Sequence, residues 1–194
     1  MFENLGKYQI ILASNSPRRK ELLQRLGLDF KVRTLLGVDE SYPKSLKGEE
    51  IARYISMQKA KAYRPTMADN ELLITADTIV CTTDGKVLGK PFAFDQASEM
   101  LHMLSGQTHH VITGVTIVTK DRTENFSVIS GVKFAELTDD EIKYYIENYL
   151  PYDKAGAYGI QEWIGLVAVE ELHGSFFNVM GLPVQRVYNM LKTF

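Results

Sequence analysis

The sequence predicts a mixed α/β fold, because short apolar strand segments alternate with segments of helical periodicity along its 194 residues. Two long segments rich in β-branched residues follow each other in the middle of the chain. That order is typical of long antiparallel strands rather than of a purely βαβ winding. The hydrophobic fraction of 45% and the charged fraction of 24% suit one globular domain over residues 1–194.

The first helix has clear signals at both ends. Ser16 is a good N-cap, Pro17 fits the first helical position, and Gly27 suits the C′ position. Further segments of helical character follow along the chain. The helices are expected at 17–26, 48–63, 94–106, 138–150 and 181–194.

The later helices also carry local signals. Thr138 and Glu141 have the spacing of a capping box at the start of the fourth helix. Asp95 is expected to cap the third helix, and Pro183 is expected in the first turn of the last.

Strands are predicted where apolar and β-branched residues cluster between turn signals. The Asp84-Gly85 pair predicts a hairpin turn within 83–88. The strands are expected at 8–13, 30–35, 72–81, 110–120 and 124–137.

The overall charge restricts the classes of partner. The 22 basic and 24 acidic residues give a net charge of −2, so a nucleic-acid partner is not expected. No apolar run approaches the roughly 20 residues of a membrane span, and no signal peptide is recognised. A single cysteine, Cys81, fits a reducing compartment. We therefore expect a cytoplasmic protein with no membrane partner.

The loop before the first helix is a candidate phosphate site. Arg18, Arg19 and Lys20 stand in the first turn, at the positive end of the helix dipole. Each cation there is unfavourable by about 0.3–1 kcal/mol unless an anion is bound. The hydroxyl of Ser14, the free N–H groups and the guanidinium forks would suit a polyphosphate. The alternative is that the cations point into water.

Asp77 stands inside an apolar strand segment, "LLITADTIV". A carboxylate is costly to bury unless it is paired or bound to a metal. Asp77 is therefore a candidate base for activating water, or an oxygen ligand of Mg²⁺ or Mn²⁺. The alternative is a strand end or bulge at which Asp77 caps a neighbouring N–H.

Several further polar residues are weaker candidates when taken alone. Lys59 and Lys90 could neutralise phosphate charge, and Glu40 could join Asp77 at a metal, with Asp39 and Glu49 equally available by composition. Gln161 ends the small-residue segment "DKAGAYGIQ", and its amide can both donate and accept. The alternatives are solvated lysines and a tight turn packed under the sheet.

Taken together, these segments closely resemble the Maf family of nucleoside triphosphate pyrophosphatases. The resemblance runs from about residue 8 to the last helix, and it rests on "SNSPRR", "VDES", "QKAKAY", "TADT", "LGKP", "DKAGAYGIQ" and "NVMGLP". It implies an elongated, two-lobed mixed sheet flanked by helices, similar to inosine triphosphatases, with a substrate cleft between the lobes. It also implies a homodimer, a divalent cation (Mg²⁺ or Mn²⁺), and hydrolysis of a nucleoside triphosphate between its α and β phosphates.

The resemblance also assigns expected roles to individual residues. Asp77 matches the family's catalytic aspartate, and it would hold the metal together with Glu40, with Asp39 as the alternative. The positions that select dTTP and UTP fall on Arg18, Thr78 and Gln161. The phosphate-binding positions fall on Ser14, Arg19, Lys59 and Lys90.

Two other functions compete with hydrolysis of dTTP and UTP. A sister subfamily prefers 7-methyl-GTP but lacks this set of arginine, threonine and glutamine. The family's association with septum formation also leaves open a nucleotide-binding regulator without essential catalysis. One departure from the family pattern concerns the base pocket, because Glu162 and Trp163 follow Gln161 where many relatives have a glycine.

Overall fold

The structure, a computed structural model, describes residues 2–35 and 37–194. The chain divides into two compact units. The first unit takes its residues from 1–77, Thr113–Val128 and Gly181–Phe194, and the second from Thr78–Ile112 and Ile129–Met180. None of the helices in the described part of the chain is long and apolar enough to cross a membrane.

Helices and strands alternate as the sequence pattern predicted. The α-helices are α1 (Pro17–Arg25), α2 (Glu49–Tyr63), α3 (Phe94–Leu104), α4 (Asp139–Tyr149), α5 (Trp163–Val167), α6 (Phe176–Met180) and α7 (Val184–Leu191). The strands are β1 (Gln9–Leu12), β2 (Phe30–Val32), β3 (Glu71–Thr82), β4 (Val87–Leu88), β5 (Thr108–Val118), β6 (Thr123–Phe134) and β7 (Val169–His173).

The strands of the described residues form one seven-stranded mixed sheet in the order β2-β1-β3-β5-β6-β7, with β4 paired to β3. Strand β1 is parallel to β2 and to β3, and Leu12 lies opposite Ile74. Strand β4 is antiparallel to β3, and β7 is antiparallel to β6. This confirms the mixed α/β fold class and the hairpin predicted at Asp84-Gly85.

Local signals at several helix ends are confirmed. The Ser16 hydroxyl accepts a hydrogen bond from the Arg19 backbone N–H at 3.4 Å, and Gly27 has a φ of +71° just after α1. At α4 the Thr138 hydroxyl accepts from the Glu141 N–H, and the Glu141 carboxylate accepts from the Thr138 N–H. Such bonds satisfy N–H groups that a helix leaves without partners in its first turn.

Two predictions at the starts of helices were wrong: the N-cap of α3 lies two residues before the predicted one, and Pro183 lies one position outside the first turn of α7. Ala93, with extended φ and ψ, is the N-cap of α3, whereas Asp95 lies within the first helical turn. The Gln96 side chain supplies a local bond instead, because its Oε1 accepts from the Phe92 N–H at 2.8 Å. Pro183 precedes α7 as its N-cap rather than lying in its first turn.

Three elements near the C-terminus were not predicted: the short helices α5 and α6 and the strand β7. Each spans five residues, which is too short to establish a period in the sequence. The predicted strand at 30–35 is also shorter than expected and ends at Val32.

Helix α2 packs closely on the sheet of the first unit. Ala60 and Tyr63 from α2 share a buried cluster with Ile11 of β1 and Leu73 of β3. At the other end of α2, a Cβ on Gly114 of β5 would lie 2.2 Å from the Ala52 carbonyl oxygen. Only glycine permits this approach of helix to strand, and the packing fixes where the polar residues of α2 lie.

Candidate active site

Asp77 lies in the middle of β3 and is 7% exposed. Its Oδ1 accepts a hydrogen bond from the Lys59 Nζ of α2 at 2.7 Å. The same Nζ lies 2.8 Å from Oε1 of Glu40. Strand β3 continues to Thr82, so Asp77 is not at a strand end. One ammonium therefore joins two carboxylates, and the buried carboxylate has the charged partner that burial requires.

Hydrogen bonds between α2 and the sheet hold Lys59 beside Asp77. The Thr75 hydroxyl donates to the Ser56 carbonyl at 2.7 Å, and the Ser56 hydroxyl lies 3.0 Å from that of Thr116. Thr75 is two residues before Asp77, and Ser56 is three residues before Lys59. Sequence reasoning missed Ser56 and Thr75 as supporting residues. The available signal was a serine on the otherwise apolar face of α2.

The side chain of Arg19, which lies in the first turn of α1, is held by two main-chain carbonyls from other parts of the chain. Its Nη1 donates to the Ala76 carbonyl and its Nε to the Gly181 carbonyl, both at 2.8 Å. Burial lowers the pKa of Arg19, and the Asp77 carboxylate opposes that effect. These bonds tie the first turn of α1 to the residue directly before Asp77. The negative ends of these carbonyl dipoles also offset part of the unfavourable interaction between the Arg19 charge and the positive end of the helix dipole.

The other residues of the first loop form a compact turn. The Ser14 hydroxyl accepts from the Ser16 N–H at 3.2 Å, which shapes the turn between β1 and α1. Arg18 is half-buried in the first turn of α1. Its charge acts on Arg19 and lowers the pKa of that guanidinium further.

The two carboxylates of "VDES" have different environments. The Asp39 carboxylate accepts from both the N–H and the hydroxyl of Ser41, at 2.8 Å each. These hydrogen bonds, the one from the Ser41 N–H most of all, lower the pKa of Asp39. Glu40 is the residue whose carboxylate pairs with Lys59.

The remaining three candidates belong to the second unit. Thr78 follows Asp77 directly on β3 and is half-buried, and Lys90 is exposed after the hairpin. The Gly89 carbonyl accepts from the Gly156 N–H at 3.0 Å, so the turn before Lys90 is bonded to "DKAGAYGIQ". Gln161 is exposed at the end of that segment.

The small-residue segment packs closely within the second unit. A Cβ on Gly156 would lie 2.9 Å from Val80 Cγ2. Ala157, Tyr158 and Ile160 are buried. The interpretation as a tightly packed turn therefore holds for this part of the segment, while Gln161 at its end is exposed.

The donor set around Lys59 fits a divalent cation. Asp77 and Glu40 converge on one cationic atom, and carboxylate oxygens are the protein ligands that Mg²⁺ and Mn²⁺ prefer. Among residues 2–35 and 37–194 no three His, Cys, Asp or Glu side chains form a metal cluster. Two carboxylates are nevertheless sufficient protein ligands for Mg²⁺ when phosphate oxygens and water complete the shell.

Comparison with known proteins agrees with the sequence motifs. A family model described as Maf-like protein matches residues 9–194. A dTTP/UTP pyrophosphatase of Parabacteroides distasonis is 61% identical over 194 residues, which is 100% of both chains. A dTTP/UTP pyrophosphatase of Phocaeicola vulgatus is 60% identical over 192 residues, which is 99% of both chains.

Among solved structures, a nucleoside-triphosphatase/dITP/XTP pyrophosphatase from Mycobacterium abscessus overlaps 94% of this chain and 93% of its own. Its sequence identity is 11% and its TM-score 0.43, an overlap too low to decide anything about the site. The match to the family model and the two full-length relatives are sufficient: this chain belongs to the Maf family.

Proposed function

We propose that this chain is a nucleoside triphosphate pyrophosphatase that hydrolyses dTTP and UTP between the α and β phosphates. The products are the nucleoside monophosphate and pyrophosphate. The observation that carries the proposal is the buried Asp77 carboxylate, joined through Lys59 to Glu40. The names of the full-length relatives, at 61% and 60% identity, support the choice of substrates.

Cationic side chains would neutralise the triphosphate. The side chains assigned to this role are those of Arg18, Lys59 and Lys90. Arg19 keeps two of its N–H groups on the carbonyls of Ala76 and Gly181, so we assign it a role in positioning as well as in charge. Positioning and charge stabilisation supply most of the acceleration in phosphoryl transfer. Ser14 would add a hydroxyl donor at the start of α1.

Asp77 is the proposed base. Its carboxylate would take a proton from a water molecule placed in line with the α-phosphorus. The water oxygen would bond to that phosphorus as its bond to the α,β-bridging oxygen breaks, and pyrophosphate would leave with the bridging oxygen. Lys59 holds the Asp77 carboxylate in place before substrate arrives, and its ammonium can turn toward a phosphate oxygen during the reaction. Asp77 and Glu40 would hold a divalent cation, Mg²⁺ or Mn²⁺. Such a cation stabilises negative charge on the leaving pyrophosphate.

We assign recognition of the pyrimidine base of the nucleotide to Gln161, together with Arg18 and Thr78. An amide can accept from the N3–H of uracil or thymine and donate to a ring carbonyl at the same time. A carboxylate could not donate in this way. With the amide held in this orientation, the pairing favours dTTP and UTP over CTP, because cytosine presents an acceptor at N3 and would need the amide turned over.

The test is a product analysis across substrates. The chain would be incubated with dTTP, UTP, CTP, GTP and 7-methyl-GTP, with Mg²⁺, Mn²⁺ or EDTA, while pyrophosphate and inorganic phosphate are measured separately. We expect metal-dependent pyrophosphate release that is fastest with dTTP and UTP. Inorganic phosphate as the first product, or fastest release from 7-methyl-GTP, would contradict the proposal. No release from any substrate would favour a nucleotide-binding regulator.

The proposal extends to the assembly and location of the protein. We propose one functional domain over residues 1–194 that acts as a homodimer in the cytoplasm. Light scattering coupled to size exclusion gives the oligomeric state, and cell fractionation gives the location. A monomeric mass under the assay conditions would contradict the dimer without affecting the assignment of the reaction.

A further inference from the structure

A buried ion pair lies beside Gln161 in the second unit. The Lys154 side chain is 8% exposed, and its Nζ lies 3.1 Å from Glu162 Oε1 and 2.8 Å from Asp153 Oδ1. The Asp153 side chain is 55% exposed, whereas that of Glu162 is only 19% exposed. Glu162 is therefore the less solvated partner of the Lys154 ammonium, and solvent screens this pair less than a surface pair.

The Glu162 carboxylate also binds Tyr145, a fully buried side chain of α4. The Tyr145 hydroxyl donates to Glu162 Oε2 and accepts from the Gly159 N–H at 3.0 Å. Burial raises the pKa of Tyr145, and the hydrogen bond to Glu162 adds to that effect. The phenol is consequently protonated at neutral pH and remains a donor to the carboxylate.

These bonds hold both ends of the turn that contains Gln161. The Glu162 N–H donates to the Gly159 carbonyl at 3.0 Å, and Tyr145 contacts both Gly159 and Glu162. The Gln161 amide lies against the same turn, since a Cβ on Gly159 would be 3.0 Å from its Nε2. An exposed glutamine otherwise has many rotamers, and ordering it on binding costs affinity.

We propose that Glu162 is a positioning residue that presents Gln161 to the pyrimidine base by joining Lys154 and Tyr145. This inference rests on the proposed function. The side chain fixes the turn before the nucleotide arrives, and its effect is therefore on the binding of the base rather than on the chemical step.

The experiment compares the kcat/KM ratio of UTP to CTP in Gln161→Ala, Glu162→Ala and the double variant. We expect each single variant to lower the ratio about tenfold, because the base then loses its oriented hydrogen bonds. KM for UTP should rise, and kcat should stay within about twofold. The double variant should lose no more than Gln161→Ala alone, because Glu162 acts only through Gln161.

Two further variants separate positioning from folding. Glu162→Gln keeps an acceptor for Tyr145 and should retain part of the selectivity. Glu170→Gln removes the exposed ion pair to Lys133, at 2.8 Å in the same unit, and should leave the UTP to CTP ratio unchanged. Thermal unfolding of each variant shows whether it is folded. If Glu162→Ala does not fold, the UTP to CTP ratio is measured in Glu162→Gln and Tyr145→Phe instead.

The chain's single tryptophan, Trp163, gives a readout independent of turnover. It follows Glu162 directly and packs edge-to-face on Tyr144, with ring centroids 4.9 Å apart. Fluorescence titration with UMP and CMP should show the preference for UMP reduced about tenfold in Glu162→Ala. A folded Glu162→Ala that keeps the preference in both assays, while Gln161→Ala loses it, would overturn the proposal.

The outcomes also distinguish this proposal from the proposed function. If Gln161→Ala leaves both ratios unchanged, Glu162 cannot select the base through Gln161, and the inference fails while the pyrophosphatase assignment stands. If the unmodified chain hydrolyses no triphosphate but binds UMP more tightly than CMP in a manner that depends on Glu162, the proposed function fails. The positioning of Gln161 would then be supported on its own.

Discussion

Replacing Asp77 by Asn tests the proposed chemistry most directly. The substitution keeps the shape of a side chain that is 7% exposed but removes its charge and its capacity as a base. Loss of a general base lowers the rate by about 10²–10⁴-fold, and we expect about 10³-fold. The effect should fall on kcat, because the amide oxygen of the new side chain can still accept a hydrogen bond from Lys59.

Asp77→Asn should lower the free energy of unfolding only slightly, because Lys59 keeps a second carboxylate partner. Breaking a buried ion pair costs about 3–5 kcal/mol when it leaves one charge alone. Here Lys59 Nζ keeps Glu40 at 2.8 Å, and the Glu40 side chain is 48% exposed. We therefore expect a loss of about 1 kcal/mol, which lowers Tm by about 2–4 °C in a chain of this size.

The assay is pyrophosphate release from saturating UTP with Mg²⁺, together with calorimetric unfolding. The matched control is Asp69→Asn, which removes a carboxylate paired with Lys120 at 2.7 Å in the same unit. Asp69 is 80% exposed, so its variant should keep both full activity and Tm. If Asp77→Asn kept more than about a tenth of the activity, Asp77 could not be the base.

Three further predictions concern stability. Gly114→Ala should lower the free energy of unfolding by about 3 kcal/mol, since its Cβ would lie 2.2 Å from the Ala52 carbonyl oxygen. The control Gly131→Ala, whose nearest contact is 3.8 Å, should be nearly neutral in the same urea titration. Thr138→Ala should cost about 1 kcal/mol by removing the capping box, measured by calorimetry. Burial lowers the pKa of His109 from 6.5 to about 4, so the neutral form stabilises the fold above pH 6.5 and that stability is lost toward pH 4. The loss of stability between pH 8 and pH 5 should shrink by about 2 kcal/mol in His109→Gln.

The direction in which stability changes with pH follows from the lowered pKa of His109 in the folded state. A histidine whose pKa is lowered by folding binds fewer protons in the folded state, so acid favours unfolding. A His109→Gln variant with the same pH dependence as the unmodified protein would show that another group causes the loss. For Thr138, a Tm unchanged within about 1 °C would contradict the capping contribution.

Much of the secondary structure could be read from short-range patterns. Ser16, Gly27 and Thr138 act within three or four residues of themselves, so their hydrogen bonds are decided by local sequence. Asp95 shows the limit of such signals. A suitable capping residue was present, but the N-cap is Ala93, two residues earlier, and α3 begins at Phe94, because a cap requires extended backbone as well as a suitable side chain.

The candidate site was predicted in its residue types but not in its connections. Asp77 was recognisable because a carboxylate in an apolar strand needs a partner, yet nothing local indicated that the partner is Lys59. The different contacts of Asp39, which accepts from Ser41, and of Glu40, which pairs with Lys59, could not be read from the sequence either. The supporting residues Ser56 and Thr75 were missed, because their bonds cross from α2 to β3.

The sequence by itself determined the mixed α/β class, the positions of most helices and strands, and the motifs that place this chain in its family. These depend on periodicity, on turn and capping residues, and on the order of short segments. The tertiary structure alone decided that Lys59 joins Asp77 to Glu40 and that Arg19 reaches the carbonyls of Ala76 and Gly181. The physical reason is that such contacts join residues up to 162 positions apart, and only the order of strands in the sheet and the packing of helices on it bring them together.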